Sequence, residues 1–516
     1  MKKYFILIPI LFCLAFEAQS QFSLVKNLGT LGGAYEASIT QLNTSTFLFT
    51  TAGTTTGLWV SDGTPAGTVQ IKTFPNSDIS AFLKIGSLMY FNFSYISGGV
   101  NVHEFWKTDG TTAGTVLINN MKILNGGQAF DVGHLTKNWA TNSSILFYHT
   151  DGNLWSFDTN TQTAGLLKAI NPSGNASIFF AYSINGVVYF RATHSSYGRE
   201  LWKSDGTTAG TVLVYDYDSD NNPATIENGD PLEMGLSNNT IFFDMARTGS
   251  LWKTDGTTAG TVQVSGNNVG GYSCNSLKNF VPINSTETIF LGSSGSNGYV
   301  VYKTDGTTTS LVKYNVNVYP SLYYNEITLV PVGTQYFFKR RSSISNDEIW
   351  KTDGSTAGTV IVKEITFGNT VTTTVKGLVG LSNNAYFIKD NDNGNIHISD
   401  GTLSGTIPIA LPSGVTLSNA SKFFVWNGSL YFKTYSSGYK IYKYTPAGPC
   451  PTTLIVTSST SFPYKANDYI TTTGPIVYNS GNVVYQAGKS IVITPTTGAW
   501  QASNGMVFEA KIAGCQ

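Results

Sequence analysis

Short apolar runs separated by turn-forming residues recur along almost the whole chain. The runs LMYF from Leu88, VVYF from Val187 and YFF from Tyr336 lack polar alternation, which indicates strands covered on both faces. Another apolar segment precedes such runs, as at residues 130–135 and 376–381. Each run is followed by a further apolar stretch, an Asp-Gly pair and a Thr-Val-rich stretch. The pattern predicts an all-β chain in which four short strands form one unit, with Asp-Gly closing a tight hairpin.

The unit is an internal repeat. Its best-defined segment reads LWKTDGTTAGTVQVS in the copy that begins at Leu251. Complete copies begin at Leu58, Phe105, Leu201, Leu251 and Ile349, and degenerate copies begin at Leu154, Val301, Ile396 and Ile441. Their second residues are separated by 47, 49, 47, 50, 50, 48, 47 and 45 residues. Four strands in a period of this length are typical of a β-propeller blade, so the sequence predicts about nine blades.

The two ends of the repeat region predict how the ring closes. The ninth unit has no fourth strand, because Pro449, Cys450 and Pro451 occupy its place. Residues 24–28 (LVKNL) resemble residues 361–365 (IVKEI), which follow the motif of the seventh copy. We therefore expect an N-terminal strand to complete the last blade and leave no open sheet edge. Eight blades with one hairpin diverted, or two smaller rings, are the alternatives.

The N-terminus and the composition predict the compartment. Residues 1–21 combine a lysine pair, a short apolar run and small polar residues, as in a secretory signal peptide. No later stretch is long and apolar enough for a transmembrane segment. The 31 basic and 31 acidic residues balance, so nucleic acid is not an expected partner. We expect a secreted or cell-surface protein with a signal peptide at 1–21, a β-propeller at 22–448 and a small β module at 449–516.

Two stretches resemble known families. RELWKSDGTTAGT from Arg199 is similar to the secreted repeat family of Bacteroidota whose pattern is ELWxxDGTxxGT. This resemblance implies a β-propeller-like extracellular repeat protein with no established reaction. VVYQAGKSIVITP from Val483, together with MVFEAKIAGC from Met506, resembles a C-terminal stacked-β module of exported proteins, the 3-coathanger stack type. That resemblance implies a surface or anchoring appendage; a stabilising cap is the alternative.

The repeated aspartates and tryptophans have structural and ligand-binding interpretations. An aspartate before Gly-Thr can accept hydrogen bonds from the following N–H groups, so turn formation is the favoured role and cation binding the alternative. The structural-turn residues are Asp62, Asp109, Asp205, Asp255, Asp305, Asp353 and Asp400. For the tryptophans, packing between blades is favoured over carbohydrate stacking. They are Trp59, Trp106, Trp155, Trp202, Trp252 and Trp350.

An acidic loop and the cysteines are the remaining candidates for special chemistry. The loop spaces five oxygen-bearing side chains as in a calcium-binding EF-hand loop, although it lacks the usual glycine and flanking helices. These residues are Asp216, Asp218, Asp220, Asn222 and Glu227. Structural calcium and a solvated acidic loop are both open interpretations. Cys450 and Cys515 bracket the C-terminal module and are the economical disulfide pair, which leaves Cys274 as a small buried side chain.

No known catalytic motif is present. The sequence has no HExxH, GxSxG, P-loop or dinucleotide-binding fingerprint, and its five histidines are not at metal-ligand spacing. We therefore expect a non-catalytic, monomeric β-propeller that requires no cofactor and presents loops for ligand binding or adhesion, with a glycan or a protein as ligand. A secreted polysaccharide-acting enzyme with acids around the central channel, and a structural envelope protein, are the alternatives.

Overall fold

The structure is a computed structural model built from β-strands, with no helix among the residues that it describes. The described part of residues 1–266 comprises 21–29, 39–51, 55–75, 78–97, 100–118, 144–148, 153–174, 176–217, 231–245 and 250–266. In residues 267–446 it comprises 268–269, 272–273, 275–293, 299–316, 328–343, 346–366, 375–389, 395–415, 417, 423–435 and 438–446. Beyond these it comprises six short strands of the C-terminal region.

Nine sheets follow one another along residues 21–445 in the described part of the chain, eight with four strands and one with three. The strands of blades 1 to 3 are Ile39–Gln41, Phe47–Thr51, Thr55–Ser61 and Val69–Pro75; Asp78–Ile85, Leu88–Ser97, Val100–Thr108 and Val116–Leu117; and Ser144–Tyr148, Asn153–Asp158 and Thr163–Ala169. Those of blades 4 to 6 are Phe179–Ile184, Val187–His194, Gly198–Ser204 and Val212–Tyr215; Pro231–Ser237, Thr240–Met245, Ser250–Thr254 and Val262–Ser265; and Asn275–Pro282, Thr288–Ser293, Tyr299–Thr304 and Thr309–Val316. Those of blades 7 to 9 are Val330–Val332, Gln335–Ser343, Asn346–Thr352 and Val360–Thr366; Val375–Leu381, Asn384–Lys389, Ile396–Ser399 and Ile407–Ile409; and Phe424–Trp426, Ser429–Tyr435, Tyr439–Thr445 and, from the N-terminus, Gln21–Gly29.

The second strand of each blade explains the unbroken apolar runs of the sequence. All five residues of Phe47–Thr51 are buried, and so are the last five of Thr240–Met245. These strands pair with neighbours on both sides and pack against adjacent blades on both faces, so alternation would place a polar side chain in the core. A small extra hairpin, Asn268–Val269 with Tyr272–Ser273, lies between blades 5 and 6.

The hydrophobic core lies between blades. One buried cluster joins Leu48 and Phe74 of blade 1 to Phe91 of blade 2, and another joins Tyr302 of blade 6 to Phe280 and Phe242, the latter from blade 5. Each sheet therefore depends on its neighbours to bury its apolar faces.

The N-terminal strand closes the ring, as predicted. Gln21–Gly29 is hydrogen-bonded beside Tyr439–Thr445 in the sheet of blade 9. Residues 23–29 show the same sequence of buried and exposed positions as the fourth strands Val69–Pro75 and Val360–Thr366. Val25 and Leu28 pack with Phe47 of blade 1 and Tyr431 of blade 9 in one buried cluster. The all-β fold and the single nine-bladed ring are thereby confirmed over the described residues.

The C-terminal strands form a small β module of a different kind. In chain order they alternate between two sheets, Thr453–Val456, Tyr469–Thr472 and Ser490–Ile493 in one, and Tyr464–Ala466, Val483–Ala487 and Phe508–Ile512 in the other. All pairings in both sheets are parallel. Strands that alternate in this way stack as three coils of a short β-solenoid. The C-terminal strands lie in a compact unit separate from residues 24–443.

Among the described residues, the structure contains no helix with the length and apolar character needed to cross a membrane.

The closing strand offers a test of the ring. Leu28 is 4% exposed and Leu24 is 41% exposed on the same strand. We expect Leu28→Ala to destabilise the protein by about 2–5 kcal/mol, because it opens a cavity in the cluster between blades 9 and 1. Leu24→Ala is the matched control and should change the unfolding temperature little. Equal effects of the two substitutions, measured by thermal unfolding, would contradict the closure.

Candidate functional site

The repeated aspartate organises the connection between the third and fourth strands in seven of the nine blades, here called the motif turn (residues 205–211 in blade 4). Asp205 Oδ1 accepts hydrogen bonds from the N–H of Thr207, at 2.9 Å, and from its hydroxyl, at 2.7 Å. The N–H of Gly210 in turn donates to Thr207 Oγ1 at 2.9 Å. All seven predicted turn aspartates accept bonds from the N–H and the hydroxyl of the residue two positions later.

Hydroxyl groups that the sequence analysis did not single out complete the turn. The Thr211 hydroxyl donates to the carbonyl of Thr207 at 2.6 Å and lies 2.8 Å from the hydroxyl of Ser204. Ser204 Oγ also accepts the N–H of Gly206 at 3.1 Å. Blades 1, 2, 5, 7 and 8 repeat these contacts. In these six blades the prediction of a tight Asp-Gly hairpin is wrong, because these bonds stabilise a wider seven-residue connection.

In six blades the motif turn has glycine at two positions, for different reasons. Gly206 has a φ of 90°, a conformation that side-chain-bearing residues rarely adopt. At Gly210 a Cβ atom would collide with the Asp205 carboxylate. The first glycine therefore supplies the backbone angle, and the second supplies room for the carboxylate.

The motif turn also packs against the preceding blade. A Cβ on Gly256 of blade 5 would collide with the Tyr189 hydroxyl of blade 4, and one on Gly63 of blade 1 would collide with the Tyr431 hydroxyl of blade 9. In blade 8, a Cβ on Gly401 would lie 3.2 Å from the ring of Phe337 of blade 7, a tight contact. The turn is therefore part of the interface between blades.

A β-bulge in the fourth strand supplies the other side of this interface. Leu201 pairs with Tyr215 and Trp202 with Leu213, so Val214 is the extra residue. Val214 is buried, and its carbonyl accepts a 2.9 Å bond from the Thr258 hydroxyl of the next motif turn. In blade 3 the bulge residue is Leu167, whose carbonyl accepts a 3.0 Å bond from the Thr208 hydroxyl of blade 4. The bulge leaves a carbonyl outside the ladder, and the next blade satisfies it.

Lysines on the fourth strands reach the same turns. Lys168 Nζ donates to the carbonyl of Thr211 at 2.7 Å, and Lys363 Nζ to that of Thr406 at 2.5 Å. Lys26 of the closing strand makes the corresponding 2.9 Å bond to Thr68 of blade 1. The seam of the ring thus uses the same contact as the interfaces between blades that follow one another in the chain.

The tryptophans lie between blades. Trp252 contacts Tyr217 of blade 4 at 5.2 Å and Trp106 contacts Phe74 of blade 1 at 5.0 Å, both edge to face. The acidic residue two positions before the tryptophan holds the indole ring by a hydrogen bond, because Glu348 accepts the indole N–H of Trp350 at 2.6 Å. Arg340 pairs with Glu348 at 3.1 Å and lies over the same indole ring.

Blade 6 has a shorter, four-residue turn, and its motif has Ser310 and Leu311 where the other six motif turns have the second glycine and a threonine. Asp305 Oδ1 accepts the N–H groups of Thr307 and Thr308, both at 2.7 Å. Thr304 donates instead to the carbonyl of Thr308 at 2.6 Å. The Asp305 carboxylate therefore still accepts the N–H bonds of the turn, although the turn has fewer hydroxyl contacts than the other motif turns.

Hydrogen bonding lowers the pKa of these turn carboxyls. In Asp205 the largest cause is the Thr207 hydroxyl, followed by the Thr207 N–H. The same pair of donors, from the residue two positions later, lowers the pKa of Asp62, Asp109, Asp255 and Asp353. In Asp305 the largest causes are the N–H groups of Thr308 and Thr307. The ionised carboxylate is the form that the turn binds.

Most of the predicted calcium loop and the cysteines lie outside the described residues. Of the five proposed ligands only Asp216 is described, at the end of blade 4. Cys274, Cys450 and Cys515 also fall outside the description, so both the calcium site and the disulfide stay predictions. Within the part of the chain that the structure covers, no group of three His, Cys, Asp or Glu residues is placed to hold a metal ion.

The antiparallel sheets give the ring two unlike faces. Connections between strands 1 and 2 and between strands 3 and 4 lie at one edge, here called the turn face, which carries all the motif turns. Connections between strands 2 and 3, and from strand 4 to the next blade, lie at the opposite edge, here called the loop face. Turn-face connections are short and similar, and they join neighbouring blades; for example, Asn427 Nδ2 donates to the carbonyl of Thr44 at 3.0 Å.

The loop face is uneven because the hairpins between strands 2 and 3 differ in length. Beyond the pair Phe91↔Trp106, the ladder of blade 2 continues for six pairs to Ser97↔Val100. Beyond the corresponding pair, it continues for four pairs in blade 4 and one in blade 8. At about 3.3 Å per residue, the described ladder of blade 2 extends about 20 Å beyond its tryptophan and that of blade 8 about 3 Å beyond His397. Ile96, near the tip of the blade 2 hairpin, is 74% exposed.

Comparisons with known proteins find structural likeness alone. No protein-family profile and no curated protein matches the chain. Among solved structures it is similar to BamB from Moraxella catarrhalis (11% identity, 82% of this chain and 100% of that chain covered, TM-score 0.37). It is also similar to the β-propeller domain of the trilobed protease from Pyrococcus furiosus (9%, 62% and 92%, 0.30) and to the dihydro-heme d1 dehydrogenase NirN (12%, 77% and 79%, 0.41). The resemblance to the ELWxxDGTxxGT family stays a prediction.

The motif turn predicts a specific acid response. Because the folded-state pKa of Asp205 lies below its ordinary value of 3.8, its stabilising effect is present above about pH 4 and is lost as the pH falls through the lowered value. We expect Asp205→Asn to lower the unfolding temperature at pH 7 and the difference from the unsubstituted protein to shrink below pH 4. A difference that is constant from pH 7 to pH 2, measured by thermal unfolding, would contradict the role of the charge.

Proposed function

We propose that the protein is a non-catalytic extracellular or cell-surface binding protein that recognises a glycan or protein ligand through the loop face of its β-propeller. The observation that carries this proposal is the contrast between the two faces. The turn face repeats one hydrogen-bonded structure in six blades, whereas the loop face differs between blades in the length of its described strand ladders and in sequence. Function on a repeat scaffold resides in the positions that packing leaves free to vary.

The physical reason for this contrast is that the two edges of the blades make different contacts. A motif turn such as residues 205–211 contributes backbone and side-chain bonds to its own sheet and contacts the preceding blade. Where the paired strands of the loop face are described, their length differs between blades 2 and 8, while both blades keep the same bonds in their motif turns. We infer that hairpin length at this face can vary while the ring is retained.

The secreted location is part of the proposal and rests on the predicted signal peptide at residues 1–21. The closing strand, Gln21–Gly29, begins at the last residue of that segment. Removal of residues 1–21 would therefore take only Gln21 from the strand that completes blade 9. The absence of a known catalytic motif from the sequence supports binding without turnover.

Substitutions matched by blade and by charge test which face binds. The loop-face variant is Ile96→Asp, Ser196→Arg and Thr366→Arg, in blades 2, 4 and 7. The control variant is Ala113→Asp, Ala209→Arg and Ala357→Arg, in the motif turns of the same blades. All six residues are exposed in the unsubstituted protein. In a binding screen on immobilised glycans and proteins, we expect the loop-face variant to lose at least tenfold in affinity for the ligand found and the control to lose less than twofold.

The same samples test the absence of catalysis. Incubation of the unsubstituted protein with each polysaccharide of the screen should release no reducing sugar. Release of reducing sugar would support the polysaccharide-acting enzyme instead. Loss of binding in the control variant, or no binding to any immobilised glycan or protein, would overturn the loop-face proposal.

A further inference from the structure

The hairpin tip of blade 4 presents an ordered aromatic surface on the loop face. Its strands pair as far as His194↔Gly198, and residues 195–197 form the connection. This is the one connection between second and third strands in which every residue belongs to the described part of the chain. The N–H of Tyr197 bonds to the carbonyl of His194, at 3.3 Å, and Gly198 has a φ of 78°. The tip therefore has a defined turn conformation.

Three rings lead from the surface into the core at this tip. Tyr197 is 37% exposed, and its ring lies 4.6 Å from that of His194 with an interplanar angle of 30°. His194 lies 6.1 Å from Trp202, which is 4% exposed and anchored between blades. An exposed ring supported in this way loses little conformational freedom on binding, which favours affinity.

The hydrogen bonding of His194 fixes its tautomer. The N–H of Ser196 donates to His194 Nδ1 at 3.0 Å, so Nδ1 carries no proton and Nε2 does. Burial lowers the pKa of His194, which keeps the ring neutral at pH 7. No described residue accepts a hydrogen bond from Nε2. The tip thus combines an exposed tyrosine face with a fixed, uncharged N–H donor.

We infer that this tip, formed by Tyr197 and His194, binds the pyranose ring of a neutral saccharide. The C–H face of a pyranose packs against an aromatic ring, and a ring hydroxyl can accept the Nε2–H hydrogen bond. The inference rests on the proposed function, since it names the ligand class and the blade of the same loop face.

The charge at the tip favours a neutral sugar over an anionic one. Arg199, a positive side chain of the hairpin, donates from Nε to the hydroxyl of Thr193, with 3.4 Å between Nε and Oγ1. The chain as a whole has a formal net charge of zero. An anionic ligand would bring a charge that neither the aromatic face nor a neutral imidazole compensates.

Calorimetric titration with six neutral hexasaccharides tests the inference. The probes are cellohexaose, xylohexaose, laminarihexaose, maltohexaose, mannohexaose and hexa-N-acetylchitohexaose. We expect at least one to bind, Tyr197→Ala to weaken that binding at least tenfold, and Tyr197→Phe, which keeps the ring, to remain within twofold. His194→Phe should keep the stacked ring but weaken binding by removing the donor. Leu403→Ala, at an exposed turn-face position, is the control and should have no effect.

The outcomes separate this inference from the proposed function. Unchanged saccharide binding in Tyr197→Ala, together with loss of binding in the loop-face variant, would overturn the blade 4 site and leave loop-face recognition standing. Binding of none of the six hexasaccharides would overturn the neutral-saccharide inference alone if the immobilised screen finds a different ligand. Unfolding temperatures of the Tyr197 variants within 2 °C of the unsubstituted protein would show that a loss of binding is not a loss of folding.

Discussion

The structure depends on the contact between each motif turn and the blade that precedes it. Within the turn, an aspartate carboxylate and three hydroxyl groups form hydrogen bonds with backbone groups. In an open seven-residue connection these backbone groups would bond to water instead. Outside it, a bulge carbonyl and a lysine of the preceding blade bond to the same turn. One short motif therefore stabilises both a sheet and an interface, and the N-terminal strand repeats the lysine contact where the ring closes.

These contacts of the motif turns explain why the two faces of the ring differ. Substitution of the second turn glycine would force a side chain into the aspartate carboxylate, and substitution of Gly256 would force one into Tyr189. Both changes would alter a turn and an interface together. Among the described residues of the loop face, ladders that extend six pairs and one pair beyond the position of the tryptophan coexist in one ring. The proposed binding residues therefore lie at the face where the described ladders differ in length.

The fold could be predicted from the sequence because repetition and apolar runs report directly on strand number and burial. The match between residues 24–28 and 361–365 was sufficient to predict ring closure, since both segments fill the same place in a blade. The geometry of the motif turn could not be predicted as well, because Asp-Gly also forms two-residue hairpins. The repeated hydroxyls at positions such as Ser204 and Thr211 were the missed signal. The tip formed by Tyr197 and His194 could not be found from sequence, because its tautomer and ring stacking depend on a local turn.

Hydrogen exchange at the motif turns tests the central claim most directly. The N–H groups of Thr207 and Gly210 lie on exposed or partly exposed residues but donate to side-chain acceptors within the turn. Single-residue exchange measured by mass spectrometry with electron-transfer fragmentation should show these amides, and their equivalents in blades 1, 2, 5, 7 and 8, exchanging at least a thousandfold more slowly than unstructured peptide. Exchange at the rate of unstructured peptide, while the second strands remain protected, would show that the turns do not hold the blades together.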